Sequence, residues 1–259
     1  MMLYFLARYI IRYRRRVVQS NLRRAFPDAN SKTLDRYERD FYHHFVDLLK
    51  ESLLMGIVTR RQMKRIFRFE NVELTERIAR EKGNFICVFG HQCDWELSAS
   101  IPLWADVYDT SALYKALHNK FFNRVFCRIR GRFGISLIRH HDAARKVLMA
   151  EHSGGKPIMF VFITDQSPKS TKNCDWVSFL GIDSPAIGGW ASLAVKTGMP
   201  VVYLHIRKEG WLRYSASFEE IRERDRQEML QKYYTLLEED IRKQPGQYLW
   251  SHKRWKFSR

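Results

Sequence analysis

The sequence predicts an α/β fold: a mixed, largely buried central sheet flanked by helices, with an N-terminal helical, membrane-associating appendage. Three observations carry this. The runs FICVF (85–89), IMFVFIT (158–164) and PVVYLHI (200–206) are short and rich in β-formers. They are apolar throughout instead of alternating, the pattern of strands covered on both faces. Helical patterns lie between them, and strands alternating with helices argue for a sheet layered with helices. Finally, residues 17–58 are helical in pattern before any strand signal. No linker composition splits the chain. Residues 1–58 are read as the helical segment and 59–259 as the α/β part of one continuous domain.

In chain order, MMLYFLARYII (1–11) is followed by RYRRR (12–16). The apolar part is far shorter than the ~20 residues a membrane-spanning helix needs. Its charges follow the apolar run, opposite to a secretory signal, and no small-residue cleavage site is present. It reads as an interfacial segment with its Arg run at anionic headgroups, or as a helix packed on the protein's own core. A break at FPDANS (26–31) precedes a helix over 32–56 with Ser31 as candidate N-cap. Tyr37, Phe41, Phe45, Leu48, Leu49 and Leu53 fall at helical spacing and are read as core. His43 and His44 are expected to be solvated or capping. After the basic connector 60–68, helices are expected at 95–105, 119–131, 142–152 and 188–197. A half-exposed strand follows at 211–221, then an amphipathic helix over 222–243, closed by QPGQYLWSHKRWK.

Composition narrows the partners. The chain has 259 residues, with Lys+Arg 45 against Asp+Glu 28, a net charge of +17. Such an excess attracts phosphate-rich partners: nucleic acid, anionic headgroups or phosphorylated substrates. Aromatic content of 14% fits a membrane interface or base stacking, and composition does not separate the two. Cys87, Cys93, Cys127 and Cys174 show neither CxxC pairing nor metal spacing. That fits a reducing compartment and argues against a zinc site or disulfide framework.

The chemistry concentrates at FGHQCDWE (89–96). A strand ends at Gly90-His91, and Glu96 follows five residues after the histidine. A neutral imidazole can take a proton from a hydroxyl, and a carboxylate on its other nitrogen fixes the tautomer. Helix partners face each other at i+3 or i+4. If His91 and Glu96 meet, His91 must therefore sit in the turn before the helix and Glu96 in its first turns. Asp94 is a competing partner for His91, and Cys93 a competing nucleophile. A satisfied polar pair without catalysis is the plainer alternative. Asp165 and Gln166 follow the 158–164 strand, so they are expected to reach the same sheet rim as His91. Arg124, Arg128, Arg130 and Arg132 form either a cleft for phosphate or carboxylate or a solvated basic face. Gly181 marks a turn. Gly188-Gly189 opens a helix and is a weak ligand signal.

These blocks, in order, resemble the late acyltransferases of lipid A biosynthesis, within the lysophospholipid acyltransferase superfamily. YRRRVVQSNLRRAFPD (13–28) resembles the family's opening segment, and GHQCDWE its H-x4-D/E motif. The second block is matched by 114–134, with Tyr114, Asn119 and Arg130 in position; the third by TDQSP (164–168) and FLG (179–181). ASLAVKTGMPVV and QYLWSHKRWK match the closing blocks. The resemblance implies that His91 deprotonates an acceptor hydroxyl with Glu96 orienting it. Tyr114, Asn119, Arg130, Asp165, Gln166 and Gly181 would contact substrate. It further implies an acyl–acyl carrier protein donor, an anionic glycolipid acceptor, a membrane surface at the cytoplasmic face of the bacterial inner membrane, and no cofactor, metal or nucleic acid. Family members usually begin with a longer apolar anchor, so here the anchor is expected to be interfacial or the assigned start late. An acyltransferase acting on a lysophospholipid or another glycolipid is a second enzyme reading. A basic nucleic-acid- or membrane-surface-binding protein is the non-enzyme reading, without any RRM, KH or helix-turn-helix pattern to support it.

Overall fold

The computed structural model describes residues 2–116, 118–151, 154–172 and 174–257. Among these residues nine strands form: β1 (Phe67–Phe69), β2 (Phe85–Phe89), β3 (Asp109–Tyr114), β4 (Ser136–Arg139), β5 (Ile158–Ile163), β6 (Asp175–Phe179), β7 (Ile182–Ala186), β8 (Val201–Gly210) and β9 (Arg213–Ile221). Seven of them make one sheet in the order β1-β9-β8-β2-β5-β3-β4. Only the β8–β9 hairpin is antiparallel within it, so the sheet is mixed, as the sequence predicts. The centre, β2-β5-β8, comes from the three apolar runs. All residues of β2 are buried.

Because strand side chains alternate, each central strand feeds two cores. Ile86, Val88, Phe160, Phe162, Val201 and Tyr203 face one side. Phe85, Cys87, Phe89, Met159, Val161 and Leu204 face the other. The first side is covered by α2 (Arg15–Ala25), α3 (Ser31–Leu54), α7 (Ala143–Glu151), α8 (Gly189–Thr197) and α9 (Arg226–Lys243). The second is covered by α4 (Arg60–Ile66), α5 (Val72–Lys82) and the 3-10 helix Trp95–Leu103, with α6 (Lys120–Gly131) at its edge. α1 (Met2–Phe5) continues as a π-helical turn to Ile10.

Several expectations shift. Helices 15–25 and 31–54 do not stand apart as an appendage. Val18, Leu22, Phe41 and Tyr42 are fully or almost fully buried in the first core. The α3 N-cap is Asn30, not Ser31; its side chain accepts from Thr33 N at 2.9 Å. His44 is neither solvated nor capping. It is buried with neither ring nitrogen hydrogen-bonded, and burial lowers its pKa to about 3. His43 stacks on Tyr4 at 3.8 Å. Strands β1, β3 and β4 were not foreseen, being only 3, 6 and 4 residues long and without a continuous apolar run. The segment after Cys174 is a hairpin, β6–β7, turned by Leu180 (φ 53°) and Gly181 (φ 76°). Two positive φ values are what a two-residue hairpin loop requires. Among the described residues, no helix is long and apolar enough to cross a membrane.

Candidate active site

The site is assembled at the carboxyl ends of β2 and β5. These strands run parallel, with Phe89 opposite Ile163. His91 and Asp165 each stand two residues beyond that pair, so the register brings them together. Their separation is 2.6 Å from Nδ1 to Oδ1. Both strand ends are pinned from below by α9. The buried Tyr233 hydroxyl donates to Phe89 O at 3.0 Å and Tyr234 to Thr164 O at 3.3 Å. Gly90 is needed for close packing: a Cβ there would lie 2.5 Å from Leu237 Cδ1.

The closing segment clamps the His91 turn from the other side. Cys93 N donates to Gln247 O at 2.8 Å, and Leu249 N to His91 O at 3.0 Å. Gln92 bridges to Tyr248. Cys93 takes a left-handed φ of 50°, is buried, and donates its thiol to Ile206 O. Burial pushes that thiol up in pKa, so it is structural and not an activated nucleophile. Asp94 is fully buried and caps the 3-10 helix, accepting from Glu96 N and Leu97 N.

The carboxylate on His91 is therefore Asp165, not Glu96. His91 does lie in the turn and Glu96 in the first helical turn, as the spacing requires. Glu96 instead receives the Arg130 fork, with Nε at 2.7 Å and Nη2 at 2.6 Å. The physical reason is geometric. A guanidinium offers two parallel donors that match a carboxylate, while β-register delivers Asp165 directly to the imidazole. Burial disfavours the charged imidazolium, but attraction and hydrogen bonding to Asp165, with Glu96 adding to the field, raise the His91 pKa above its ordinary value. Asp165 is 2% exposed; burial alone would raise its pKa, and His91 outweighs that and lowers it. Trp95 packs edge-on against the imidazole at 4.9 Å.

With Nδ1 on Asp165, His91 Nε2 is the free nitrogen. Gln166 Nε2 lies 3.5 Å from it, at the long end of hydrogen-bond range, so that contact is weak. His91 lines a cavity of about 530 Å³ on the second face of the sheet. Phe89, Val161, Ile163, Leu204 and Phe218 form apolar walls, with Met159 deeper along β5. Tyr114, Glu96, Arg130 and Gln166 also line it. Of the other expected contacts, Asn119 caps α6, accepting from Phe121 N at 2.9 Å and Phe122 N at 3.2 Å. It positions that helix and does not line the cavity. Gly181 turns the β6–β7 hairpin, is exposed, and lines no wall of the cavity. Gly188 is the N-terminal boundary of α8, crowded by Asp175 and Arg226. The ion pair between those two fills the place a ligand would need.

Sequence reasoning missed Phe126, which α6 inserts beside Arg130. It also missed Tyr233, Tyr234 and Tyr248. A Tyr-Tyr pair on a helix of otherwise aliphatic core residues was the available signal. Among the described residues, no group of three His, Cys, Asp or Glu side chains could hold a metal ion.

Fold and site together define an α/β protein that presents an oriented imidazole to an apolar, ligand-sized cavity. The family model for bacterial lipid A biosynthesis acyltransferases matches residues 2–257, so the chain belongs to that family and is an acyltransferase. No individual curated protein matches the chain.

Proposed function

We propose that this acyltransferase moves a fatty acyl chain from the thioester of acyl carrier protein to a hydroxyl of a phosphorylated, partly acylated glucosamine disaccharide. The work is done at the cytoplasmic face of the bacterial inner membrane. The carrying observation is the free His91 Nε2 over an apolar cavity, with Nδ1 held by Asp165. Nε2 takes the proton of the acceptor hydroxyl. The oxygen attacks the thioester carbon, and the tetrahedral intermediate collapses with loss of the thiolate, which receives the proton back from His91. One ester forms and one thioester breaks. The cavity walls suit the acyl chain. Asp165 acts through His91 as a positioning residue. Arg130, held flat by Glu96, is placed to meet a phosphate or the developing oxyanion. The charge of +17 suits a polyanionic acceptor, an acidic carrier and anionic headgroups. The exposed apolar residues at the N-terminus, among them Leu3, Phe5, Ile10 and Ile11, support membrane contact there.

The test is a transfer assay in detergent with acyl–acyl carrier protein and a tetra-acylated lipid A precursor, products read by mass spectrometry. A mass gain of one acyl chain that His91→Ala abolishes is expected. Transfer only to a lysophospholipid or another glycolipid in an acceptor panel would overturn the acceptor. Full activity in His91→Ala would overturn the base.

A further inference from the structure

Helix α6 carries an apolar stripe that the protein uses only in part. Phe121, Phe122, Val125, Phe126 and Ile129 fall on one face at helical spacing. The C-terminal half is occupied. Phe126 and Arg130 line the cavity, and Ile129 lies against Gly56. The N-terminal half stands open to solvent: Phe121 is 67% exposed and Phe122 54%, with their rings edge-on to each other. No residue of α6 is buried. Adjacent phenylalanines held this far into water are costly, since each would gain by leaving it.

Further apolar residues are exposed at the end of α3, Leu49 and Leu53, and in the turn after it, Ile57. Arg132, just past α6, ties α6 to that turn by donating to Met55 O at 3.1 Å and to Val58 O. Charge completes the picture. From residue 110 to 141 there is no Asp or Glu, while Lys115, Lys120, Arg124, Arg128, Arg130, Arg132 and Arg139 fall in that span. Arg130 is taken up by Glu96 and Arg132 by the carbonyls of Met55 and Val58. Exposed apolar residues flanked by Lys115, Lys120, Arg124, Arg128 and Arg139 have the chemistry of an interfacial helix on anionic lipid. A carrier-protein dock would need the cations but not the exposed apolar residues.

We propose that α6 docks the protein on an anionic phospholipid bilayer by inserting Phe121 and Phe122. This rests on the reading of the cavity as a lipid-substrate site for its purpose, though not for the docking itself. The helix that inserts is the one that supplies Phe126 and Arg130 to the cavity, so docking sets the cavity beside the bilayer that holds the acceptor.

The experiment is co-sedimentation of the full-length protein with phosphatidylglycerol–phosphatidylethanolamine vesicles. The Phe121→Ser/Phe122→Ser double variant is expected to bind about tenfold more weakly or worse, as losing two inserted aromatic groups implies, with an unchanged thermal midpoint because both side chains are exposed. Lys120→Glu/Arg124→Glu is expected to weaken binding to these vesicles and not to neutral phosphatidylcholine ones. His91→Ala is expected to bind like the unaltered chain, so absence of acyl transfer and absence of docking are read separately. Unchanged vesicle binding by the phenylalanine double variant would overturn the proposal. So would unchanged vesicle binding with a raised KM for acyl carrier protein in detergent, which would make α6 a protein dock.

Discussion

Among the described residues, two histidines that lie against carboxylates are largely shielded from solvent, unlike the exposed His141 beside Asp142, and one of the two is fit to act as a base. His91 meets a single carboxylate, Asp165, at 2.6 Å, and its other nitrogen faces an apolar cavity. His205, on β8, is held on both nitrogens. Nδ1 is 2.9 Å from Asp240 and Nε2 is 3.3 Å from Glu219. Burial opposes its charge, but the two carboxylates prevail and raise its pKa. Both nitrogens then donate, so no lone pair remains to take a proton. The neighbourhood differs as well: the hollow beside His205 is lined by polar groups such as Gln92, Ser217 and Gln244. A histidine–carboxylate pair alone therefore carries little meaning. What distinguishes the site is one free nitrogen facing a place where substrate fits.

The comparison can be broken by removing each histidine. His91→Ala is expected to lower kcat by about 10²–10⁴, the usual worth of a positioned base. His205→Asn is expected to leave kcat within about twofold while lowering the thermal midpoint, because Asp240, 9% exposed, loses a charged partner. An equal loss of turnover in both variants would erase the distinction. The cavity side is sharpened by Met159→Trp. Met159 lies four residues deeper than Ile163 on β5, roughly 13 Å at ~3.3 Å per residue. Filling that depth is expected to shift preference to shorter acyl chains, read as relative kcat/KM over a donor series. An unshifted series would place the acyl chain elsewhere.

The smallest effect concerns stability. His44 is neutral and buried, with a pKa of about 3 against ~6.5 unfolded. The unfolded chain then binds the extra proton, so stability falls as pH drops below ~6.5, by up to ~1.4 kcal/mol per pH unit. His44→Leu is expected to flatten that slope in chemical denaturation between pH 6.5 and 4. An unaltered slope would assign acid sensitivity to other groups.

Much of this was legible in the sequence because apolar runs are strong signals. FICVF and IMFVFIT became neighbouring central strands, and the expectation that His91 and Asp165 share a rim follows from both standing just past strand ends. Their direct pairing was not legible, because register between strands 74 residues apart leaves no local mark. Glu96 sat close in sequence and so drew the role that Asp165 holds. For Arg130 the sequence leaves a cleft group and a solvated basic face both open, and its bond to Glu96 depends on how α6 lies over the 3-10 helix. Gly181 was read as both a turn and a substrate contact, and only the turn is built from local φ preferences.

The most direct test of the central claim is the pH dependence of kcat/KM for Asp165→Asn and Glu96→Gln, measured side by side. Asp165 is the main cause of the raised His91 pKa and Glu96 a lesser one. The acid limb, where His91 loses its proton to become the base, should therefore move to lower pH in Asp165→Asn and by a smaller step in Glu96→Gln. A larger displacement in Glu96→Gln, with Asp165→Asn unmoved, would contradict the assignment of Asp165 as the partner of His91.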